Sequence, residues 1–223
     1  MFELASALAA HAESPMVAEL KAGSEEAYAC LVTHYHQPVY SLVYRLVNDP
    51  ADAADTTQEV FIKVFRGIKR FHGASSLKTW IYRIAVHEAS NQRRWWRRHK
   101  AAEISLDPGE NDAMDDSGSA FKHALIHPGA SPYENLAGRE LVAKVEQLLR
   151  QVPEPFRTAV ILRDLEDLTY EEIAEVTATS LGTVKSRLVR GREALRILLE
   201  PYMRQAGYVE AIVDEGPQAE VIA

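Results

Sequence analysis

The 223-residue chain can hold one large domain or two small ones, and its apolar fraction of 47% is ordinary for a globular protein. The net charge of −7 is an average over the whole chain and does not exclude nucleic-acid binding, because the local potential decides where a phosphate backbone binds. A single cysteine, Cys30, excludes an internal disulfide and the cysteine-pair zinc patterns, and we expect it to be a buried structural thiol. No apolar run reaches the ~20 residues that span a bilayer, and the N-terminus lacks the basic segment of a secretory signal. We therefore expect a cytoplasmic protein without membrane insertion.

Four helices are predicted before residue 101, each from a cap or proline followed by an apolar periodicity. Pro38 separates the first two. Asp49 followed by Pro50 marks the start of the third, because Asp accepts hydrogen bonds at an N-cap and Pro suits the first helical position. A Gly/Ser loop precedes the fourth. The predicted ranges are Ser24–His36, Val39–Val47, Pro50–Ile68 and a helix from about Lys78 into an arginine-rich run.

The third predicted helix has two unlike faces. Its apolar residues recur at helical spacing and predict a core stripe of Phe61, Val64, Phe65 and Ile68. The opposite side carries carboxylates with a glutamine at their flank: Asp52, Asp55, Gln58 and Glu59. Such a face is either a solvated surface or a docking site for a basic partner helix, and the sequence alone leaves both open. The eight histidines show no metal-ligand spacing, so we expect no metal site and no catalytic residues.

The fourth predicted helix mixes aromatic and basic side chains in a way that is typical of nucleic-acid binding. Aromatic faces stack on unpaired bases while arginines contact phosphates. The run Arg93–Arg98 favours this function. Trp80 is better explained as a core residue, and Tyr82 is open to the same interpretation. Cations at a helix C-terminus also suit the helix dipole. The side chains concerned are Trp80, Tyr82, Arg83, His87, Asn91, Arg93, Arg94, Trp95, Trp96, Arg97 and Arg98.

The composition changes over residues 101–132, where Pro, Gly, Ser and acidic residues replace helical periodicity. This predicts a flexible acidic linker. Helical patterns resume near Glu134 and continue to about residue 204, and residues 205–223 form an acidic tail. No strand alternation is convincing. We therefore predict an all-α fold of two small helical domains, residues 14–100 and 133–204, joined by the linker.

The most specific pattern is the segment Thr169–Arg196. Thr169 and Glu172 form a capping box for a short helix, and Ser180 is placed to cap the next one. In that second helix an apolar stripe of Val184, Leu188, Gly191 and Leu195 opposes five cations, which are Lys185, Arg187, Arg190, Arg192 and Arg196. This predicts a helix-turn-helix, which places a helix in the DNA major groove. A helical hairpin with a solvated basic face is the alternative.

Three segments together resemble the extracytoplasmic-function (ECF, group IV) sigma factors of bacterial RNA polymerase, which belong to the sigma-70 family. DPADAADTTQEVFIKVFRGIKRF (Asp49–Phe71) and LKTWIYRIAVHEASNQRR (Leu77–Arg94) are similar to sigma region 2. VPEPFRTAVILRDLEDLTYEEIAEVTATSLGTVKSRLVRGREALR (Val152–Arg196) is similar to sigma region 4. The resemblance covers most of the chain in the family order. It implies a promoter-specificity subunit that is not an enzyme and needs no cofactor.

The resemblance also implies a role for each group of residues. Binding to the beta-prime clamp helices of core polymerase is expected for Asp52, Asp55, Gln58 and Glu59. Melting and reading of the minus-ten element is expected for His72, Ser75, Ser76, Lys78, Trp80, Arg83, His87, Asn91, Arg93 and Arg94. Reading of the minus-35 element as duplex is expected for Thr183, Lys185, Ser186, Arg187 and Arg190. Further expected partners are the beta flap and an anti-sigma factor that controls a stress or envelope response.

Two places depart from the usual family pattern. His87 stands where many members carry Asn, which bears on minus-ten base preference. In the turn of the helix-turn-helix, Thr177, Ala178 and Thr179 replace the more usual Leu-Gly-hydrophobic. An alanine at a turn position with positive φ costs about 1 kcal/mol, so we expect a reshaped turn.

Three other classes of protein compete with this interpretation. A free-standing helix-turn-helix regulator would bind duplex DNA without polymerase. A nucleic-acid-processing enzyme would need a metal or acid–base constellation. A pure interaction protein that titrates polymerase would not need the basic helix.

Overall fold

The computed structural model describes residues 15–99 and 132–205, and every regular element in these ranges is a helix. The all-α prediction is thereby confirmed for the described chain. The helices are α1 (residues 15–22), α2 (Glu25–Val47), α3 (Pro50–Gly67), α4 (Leu77–His99), α5 (Pro132–Leu149), α6 (Glu154–Val160), α7 (Tyr170–Thr177) and α8 (Leu181–Gln205). A 3₁₀ turn, Ile68–Arg70, follows α3, and a π turn, Ile161–Leu165, follows α6.

The first half of the molecule is a bundle in which α2, α3 and α4 pack against one another. The prediction of two helices on either side of Pro38 is wrong, because α2 continues through this proline. A proline inside a helix removes one backbone hydrogen bond and costs about 3 kcal/mol or more. Beyond it, Val39, Leu42 and Val43 are completely buried in the bundle. Burial of this apolar face offsets the cost and holds the helix together.

The predicted helix caps are present. Asp49 accepts a hydrogen bond from the backbone N–H of Asp52 at 2.9 Å, and Ser24 accepts one from that of Ala27 at 3.2 Å. Each satisfies an amide that the helix itself leaves unpaired.

The core stripe of α3 is rotated from the predicted one. Val64 and Ile68 are buried as expected, but the stripe is completed by Val60. Phe61 is only partly buried, and Phe65 is 59% exposed, with its ring centroid 4.6 Å from that of Tyr28. The placement of Phe65 in the core is therefore wrong, since helix periodicity alone allowed two adjacent stripes.

Cys30 is also on the surface and not buried as expected. Its neighbours Ala27 and Leu31 take the core side of α2, which leaves the thiol on the outside.

The second half packs α6, α7 and α5 against the long helix α8. The capping box of α7 is present: the backbone N–H of Glu172 donates to the Thr169 hydroxyl, and the Glu172 carboxylate accepts from the Thr169 N–H. Gly191 lies where α8 approaches α6, and a Cβ at this position would come within 2.7 Å of the Val160 Cγ2 atom. Val184 and Leu188 are 1% exposed, so the predicted apolar stripe is confirmed.

The two halves are in contact, which the sequence did not indicate. Helix α4 packs against α7, and one cluster of buried hydrophobic residues extends through both halves. The predicted linker 101–132 and tail 205–223 lie almost entirely outside the described residues, and the domain boundaries 14–100 and 133–204 stay predictions.

Candidate nucleic-acid interface

The exposed side of α3 combines carboxylates with large apolar residues. Asp55 and Gln58 are exposed, and Glu59 is half-buried beside Lys63, its ion-pair partner at 3.8 Å. Ile62, 42% exposed, and Phe65 follow on the same side of the helix, seven and ten residues after Asp55. We call these five residues, Asp55, Gln58, Glu59, Ile62 and Phe65, the α3 face. Exposed apolar side chains bordered by charged ones match the apolar centre and polar rim of protein interfaces.

Asp52, the fourth predicted docking residue, is held differently. Its Oδ1 atom accepts a hydrogen bond from the Gln92 side chain of α4 at 3.1 Å. The structure thus makes Asp52 a link between α3 and α4 at the edge of the α3 face.

The Gly/Ser loop leads directly into the cap of α4. The Ser76 hydroxyl oxygen accepts from the Thr79 backbone N–H at 3.0 Å, so Ser76 has a structural role beside any contact with DNA. His72 is exposed and Ser75 half-buried. Trp80 packs against Phe71, with ring centroids 5.2 Å apart, and is half-buried. Both interpretations of Trp80 therefore apply, since part of the indole is in the core and part faces outward.

Along α4 the predicted side chains spread over more than one side. Arg83, His87 and Arg94 are exposed, and Asn91 links two of them: its amide lies 3.2 Å from the His87 Nδ1 atom and its oxygen accepts from Arg94. Neighbouring Glu88 is buried, which would raise the pKa of its carboxyl. Hydrogen bonds from Lys63 and His87 outweigh burial, so the pKa of Glu88 is lowered and the carboxylate stays charged.

Helix α8 presents its N-terminal half to solvent. Ser180 caps it, accepting from the Thr183 backbone N–H at 3.2 Å. Lys185, Ser186 and Arg190 are exposed, on the side away from the buried Val184–Leu188 stripe. This is the arrangement that a recognition helix needs, with cations outward and an apolar side toward the supporting helices.

The two predicted DNA-reading helices share one cleft. It has a volume of about 760 Å³ and lies between the halves. From α4 it is lined by Trp80, Arg83 and His87, and from α8 by Arg187. The structure thus brings one group of predicted minus-ten residues and one predicted minus-35 residue into the lining of one cleft.

The contact between the halves is centred on Glu166, which follows the π turn. Its side chain is 10% exposed. One carboxylate oxygen accepts from the Tyr82 hydroxyl at 2.7 Å, and the other from Arg45 at 3.4 Å. Its backbone carbonyl accepts from the Lys78 ammonium at 2.9 Å. One residue of the second half therefore accepts hydrogen bonds from three side chains of the first.

Burial shifts the titration of this cluster. It raises the pKa of Glu166, and the hydrogen bond from Tyr82 and the charge of Arg45 counteract this only in part. Burial, followed by the charge of Glu166, also raises the pKa of Tyr82 far above its ordinary value. The cluster therefore favours the neutral form of Glu166 more than an exposed site would.

Further polar contacts join the two halves. Glu154 accepts from Ser90 at 3.2 Å and pairs with Arg93 at 3.2 Å. Arg157 donates to the Leu46 carbonyl at 3.0 Å, and burial lowers the pKa of Arg157 to about 10. Two predicted minus-ten residues, Lys78 and Arg93, are thus engaged with the second half.

Sequence reasoning missed the residues that depend on tertiary packing. Arg45, Tyr82 and Glu166 carry no local pattern that marks an interface, and Ile62 resembles any surface aliphatic. The polar part of the α3 face was found from the sequence, and the spacing of Phe65, seven residues after Gln58, was the usable signal that this ring belongs to the same side.

In the described ranges no group of three or more His, Cys, Asp or Glu side chains is placed to hold a metal ion. None of the described helices is long and apolar enough to cross a membrane.

Two family models match the chain. Sigma-70 region 2 matches residues 31–101, and Sigma-70 region 4 matches residues 143–195. The first match contains α3 and α4, and the second contains α6, α7 and the basic half of α8.

Curated relatives match nearly their whole length. The RNA polymerase sigma-H factor of Pseudomonas aeruginosa is 36% identical over 196 residues, which are 87% of this chain and 97% of that protein. The ECF RNA polymerase sigma-E factor of Escherichia coli K12 is 36% identical over 191 residues, covering 85% and 95%.

Solved structures share the fold at lower identity. CnrH in complex with the cytosolic domain of CnrY superimposes with a TM-score of 0.60 at 17% identity, over 85% of this chain and 98% of that one. RpoE of Bartonella quintana in complex with the anti-sigma factor NepR gives 0.57 at 20% identity, over 78% and 96%.

Proposed function

The chain belongs to the ECF sigma factors of the sigma-70 family, which direct core RNA polymerase to specific promoters, and from this premise we propose which of its surfaces performs each step. The observation that carries the proposal is that both family regions match, in order, on the helices that present the α3 face and the two basic surfaces. Members of this family are transcription initiation factors. We extend this to a protein without catalytic chemistry of its own, working in the cytoplasm beside polymerase and chromosome.

The α3 face is the proposed docking site for the beta-prime clamp helices. Exposed Asp55 and half-buried Glu59 supply negative charge, which attracts a basic partner and speeds its association. Ile62 and Phe65 supply apolar area, and burying a large side chain contributes about 1.5–3 kcal/mol. Charge and apolar area on one helix face explain why a solvated surface is the weaker interpretation.

Helix α4 and the loop before it are the proposed reader of the melted minus-ten element. Exposed His72, Arg83 and His87 are available for bases and phosphates. Arginines near an aromatic surface suit single-stranded DNA, because stacking tolerates any base while cations follow the backbone.

The N-terminal half of α8 is the proposed reader of the minus-35 duplex. Lys185, Arg187 and Arg190 project from a helix whose opposite side is buried against α6. Phosphate contacts by these cations make the affinity fall steeply as salt rises. We also assign contact with the beta flap to this half of the molecule.

The described conformation is closed, and promoter binding requires it to open. Elements at minus ten and minus 35 are about 25 base pairs apart, which is roughly 85 Å of duplex at ~3.4 Å per pair. In the closed form Arg83 and Arg187 line one cleft instead. Core polymerase therefore has to separate the halves, after which tethered bivalency raises promoter affinity without new contacts.

An anti-sigma factor is the proposed inhibitor. The solved structures of similar fold, CnrH and RpoE, are named as complexes with CnrY and with the anti-sigma factor NepR. In this chain a protein that binds across both halves would preserve the closed form and keep the cleft inaccessible to DNA.

Run-off transcription with purified bacterial core polymerase over a promoter library tests the function. Transcripts that depend on this protein and share two upstream elements are expected. Binding to core without transcripts would make the protein a decoy, and duplex binding without core would favour the free-standing regulator.

A further inference from the structure

The cleft between the halves has the size and the lining of a small-molecule site. Its volume of about 760 Å³ lies within the range of pockets that enclose a small organic ligand. Its wall is mostly apolar and comes from both halves, with Trp80 and Ile84 from α4, Pro155 from α6 and Val176 from α7. The complete site therefore exists only while the halves are in contact.

Two carboxylates line the cleft, and each is already paired with a cation. Glu88 is buried, and its carboxylate accepts hydrogen bonds from Lys63 and His87. Glu154 pairs with Arg93 of α4 at 3.2 Å. Neither carboxylate is left to neutralise a further cation of the lining.

Two arginines of the cleft lack a counter-ion. Within the described ranges, neither Arg83 nor Arg187 makes a hydrogen bond or an ion pair. Arg187 is in addition half-buried, and a charged group that is partly removed from water without an acceptor costs free energy. An anion beside Arg187 would recover this cost, because a guanidinium group binds carboxylate or phosphate through two parallel hydrogen bonds.

We propose that the cleft between the halves binds a small organic anion, whose acidic group pairs with Arg187 and Arg83 and whose apolar body packs against the apolar wall. Because both halves line the site, such a ligand favours the closed form, the only one that it binds. The chain would then be less available to polymerase. This last effect rests on the proposed function, whereas binding of the anion to the free chain does not.

The first test titrates the free full chain with anilinonaphthalene sulfonate (ANS), an aromatic anion that fluoresces in apolar surroundings. We expect saturable binding of one probe per chain. In Arg187→Gln the affinity for ANS should fall about tenfold, as for loss of a hydrogen bond to a charged group. Lys185→Gln is the matched control, because Lys185 is exposed on the same helix and does not line the cleft. Its affinity should stay within about twofold of wild type, since an exposed charge is screened.

Two further measurements separate charge from apolar contact and the closed form from the open one. N-Phenylnaphthylamine is an uncharged relative of ANS, and its affinity should be the same in wild type and in Arg187→Gln. Glu166→Arg places a cation against Arg45 and should open the halves. Its affinity for ANS should fall about threefold or more, because only the closed fraction binds, while circular dichroism confirms that the helices are intact.

The consequence for polymerase is measured by competition. With ANS at about ten times its dissociation constant, the affinity of the wild-type chain for core polymerase should fall about tenfold. Core binding by Arg187→Gln should change much less, which controls for probe bound to polymerase. Unchanged core affinity of the wild-type chain would overturn the proposed effect on availability.

The outcomes distinguish this site from the proposed function. Equal affinity of wild type and Arg187→Gln for ANS overturns the anion site and leaves the sigma function intact, because that titration contains no polymerase. An equal loss of affinity in Lys185→Gln also overturns it, since the probe would then respond to the general positive charge of α8. Failure of the wild-type chain to bind core without ANS counts against the proposed function instead.

Discussion

At the scale of single residues, Ala178 shows how local strain is stored in the helix-turn-helix. It ends α7 with φ of 50° and ψ of 48°, in the left-handed region that disfavours a Cβ atom. The turn is therefore not reshaped at this position as we expected: Ala178 itself takes the positive φ, and its backbone carries the strain.

Replacing Ala178 with Gly should stabilise the protein by about 0.5–1 kcal/mol, because glycine adopts positive φ without strain. Chemical denaturation measures this as a higher midpoint. Ala174→Gly inside α7 is the matched control, and it should cost about 1 kcal/mol because its backbone is ordinary helix. A lower midpoint for Ala178→Gly would show that the turn is not strained.

Glycine is needed at position 191 because a side chain there has no space, and not because the backbone takes a positive φ. A Cβ there would lie 2.8 Å from the Phe156 carbonyl oxygen and closer still to Val160. Gly191→Ala should destabilise by about 1–3 kcal/mol through overpacking. Gly182→Ala on the same helix, where the nearest atom is 3.9 Å away, should be neutral or stabilising in thermal unfolding. Equal midpoints for both variants would contradict the close packing of α8 on α6.

At the scale of elements, one side of α3 packs in the core, and the other side is the proposed docking surface. Val60 and Val64 are buried, and the α3 face is turned outward. Asp55→Arg with Glu59→Arg should abolish core-polymerase binding while the circular dichroism and unfolding midpoint stay near wild type, because neither side chain enters the core. Normal core affinity in this variant, measured by gel filtration or fluorescence anisotropy, would refute the docking role.

A variant at Phe65 can distinguish burial of apolar surface in the docked complex from attraction between charges alone. If the α3 face buries its apolar end, Phe65→Ala should weaken core binding by at least about tenfold, since losing a large buried side chain costs about 1.5–3 kcal/mol. That loss should persist at high salt, unlike the contribution of the carboxylates. A loss that disappears in high salt would place Phe65 outside the interface.

For helix α8 we predict that loss of its exposed cations weakens binding to duplex DNA. Arg187→Ala and Arg190→Ala should each lower transcription from a minus-35-dependent promoter about tenfold, because a base or phosphate contact contributes about 1–3 kcal/mol. Transcription and footprinting in parallel measure this, with Arg204→Ala near the other end of α8 as the matched control. Unchanged footprints would remove both residues from the reading surface.

At the scale of the whole molecule, the closed form depends on the cluster around Glu166. Arg45, Lys78, Tyr82 and the neighbouring Asp167 act on its carboxyl, and burial raises its pKa above the ordinary 4.5. A raised pKa means that protonated Glu166 favours the closed form. The contribution of Glu166 to the stability of the closed form is complete below about pH 4.5. It is lost as pH rises through the pKa that Glu166 has in the closed form.

The closed form should therefore become less populated as pH rises from acidic toward neutral. Energy transfer between a dye on exposed Cys30 and one on a second cysteine, Glu193→Cys, reports the distance between the halves. Glu166→Gln, which cannot titrate but still accepts from Tyr82, should flatten the pH dependence. An unaltered pH profile in that variant would assign the titration to another group.

Features that depend on neighbours along the chain could be predicted from the amino-acid sequence. The capping box at Thr169, the Asp49 cap, the apolar stripe of α8 and the exposed carboxylates of α3 all follow from hydrogen bonds and periodicities within one or two turns. The choice between Phe65 and Val60 for the core was beyond such reasoning, because helical spacing permits either stripe until α2 and α4 pack against it.

Contacts between residues far apart in the chain depend on tertiary packing. Glu166 touches Tyr82 and Arg45 across 84 and 121 positions of the chain, and Arg83 and Arg187 line one cleft. No local pattern encodes such pairs, since they arise when two preformed apolar surfaces bury one another and bring polar groups together at the edge. The family fold was thus readable from the chain, whereas the packing of its two halves against each other was not.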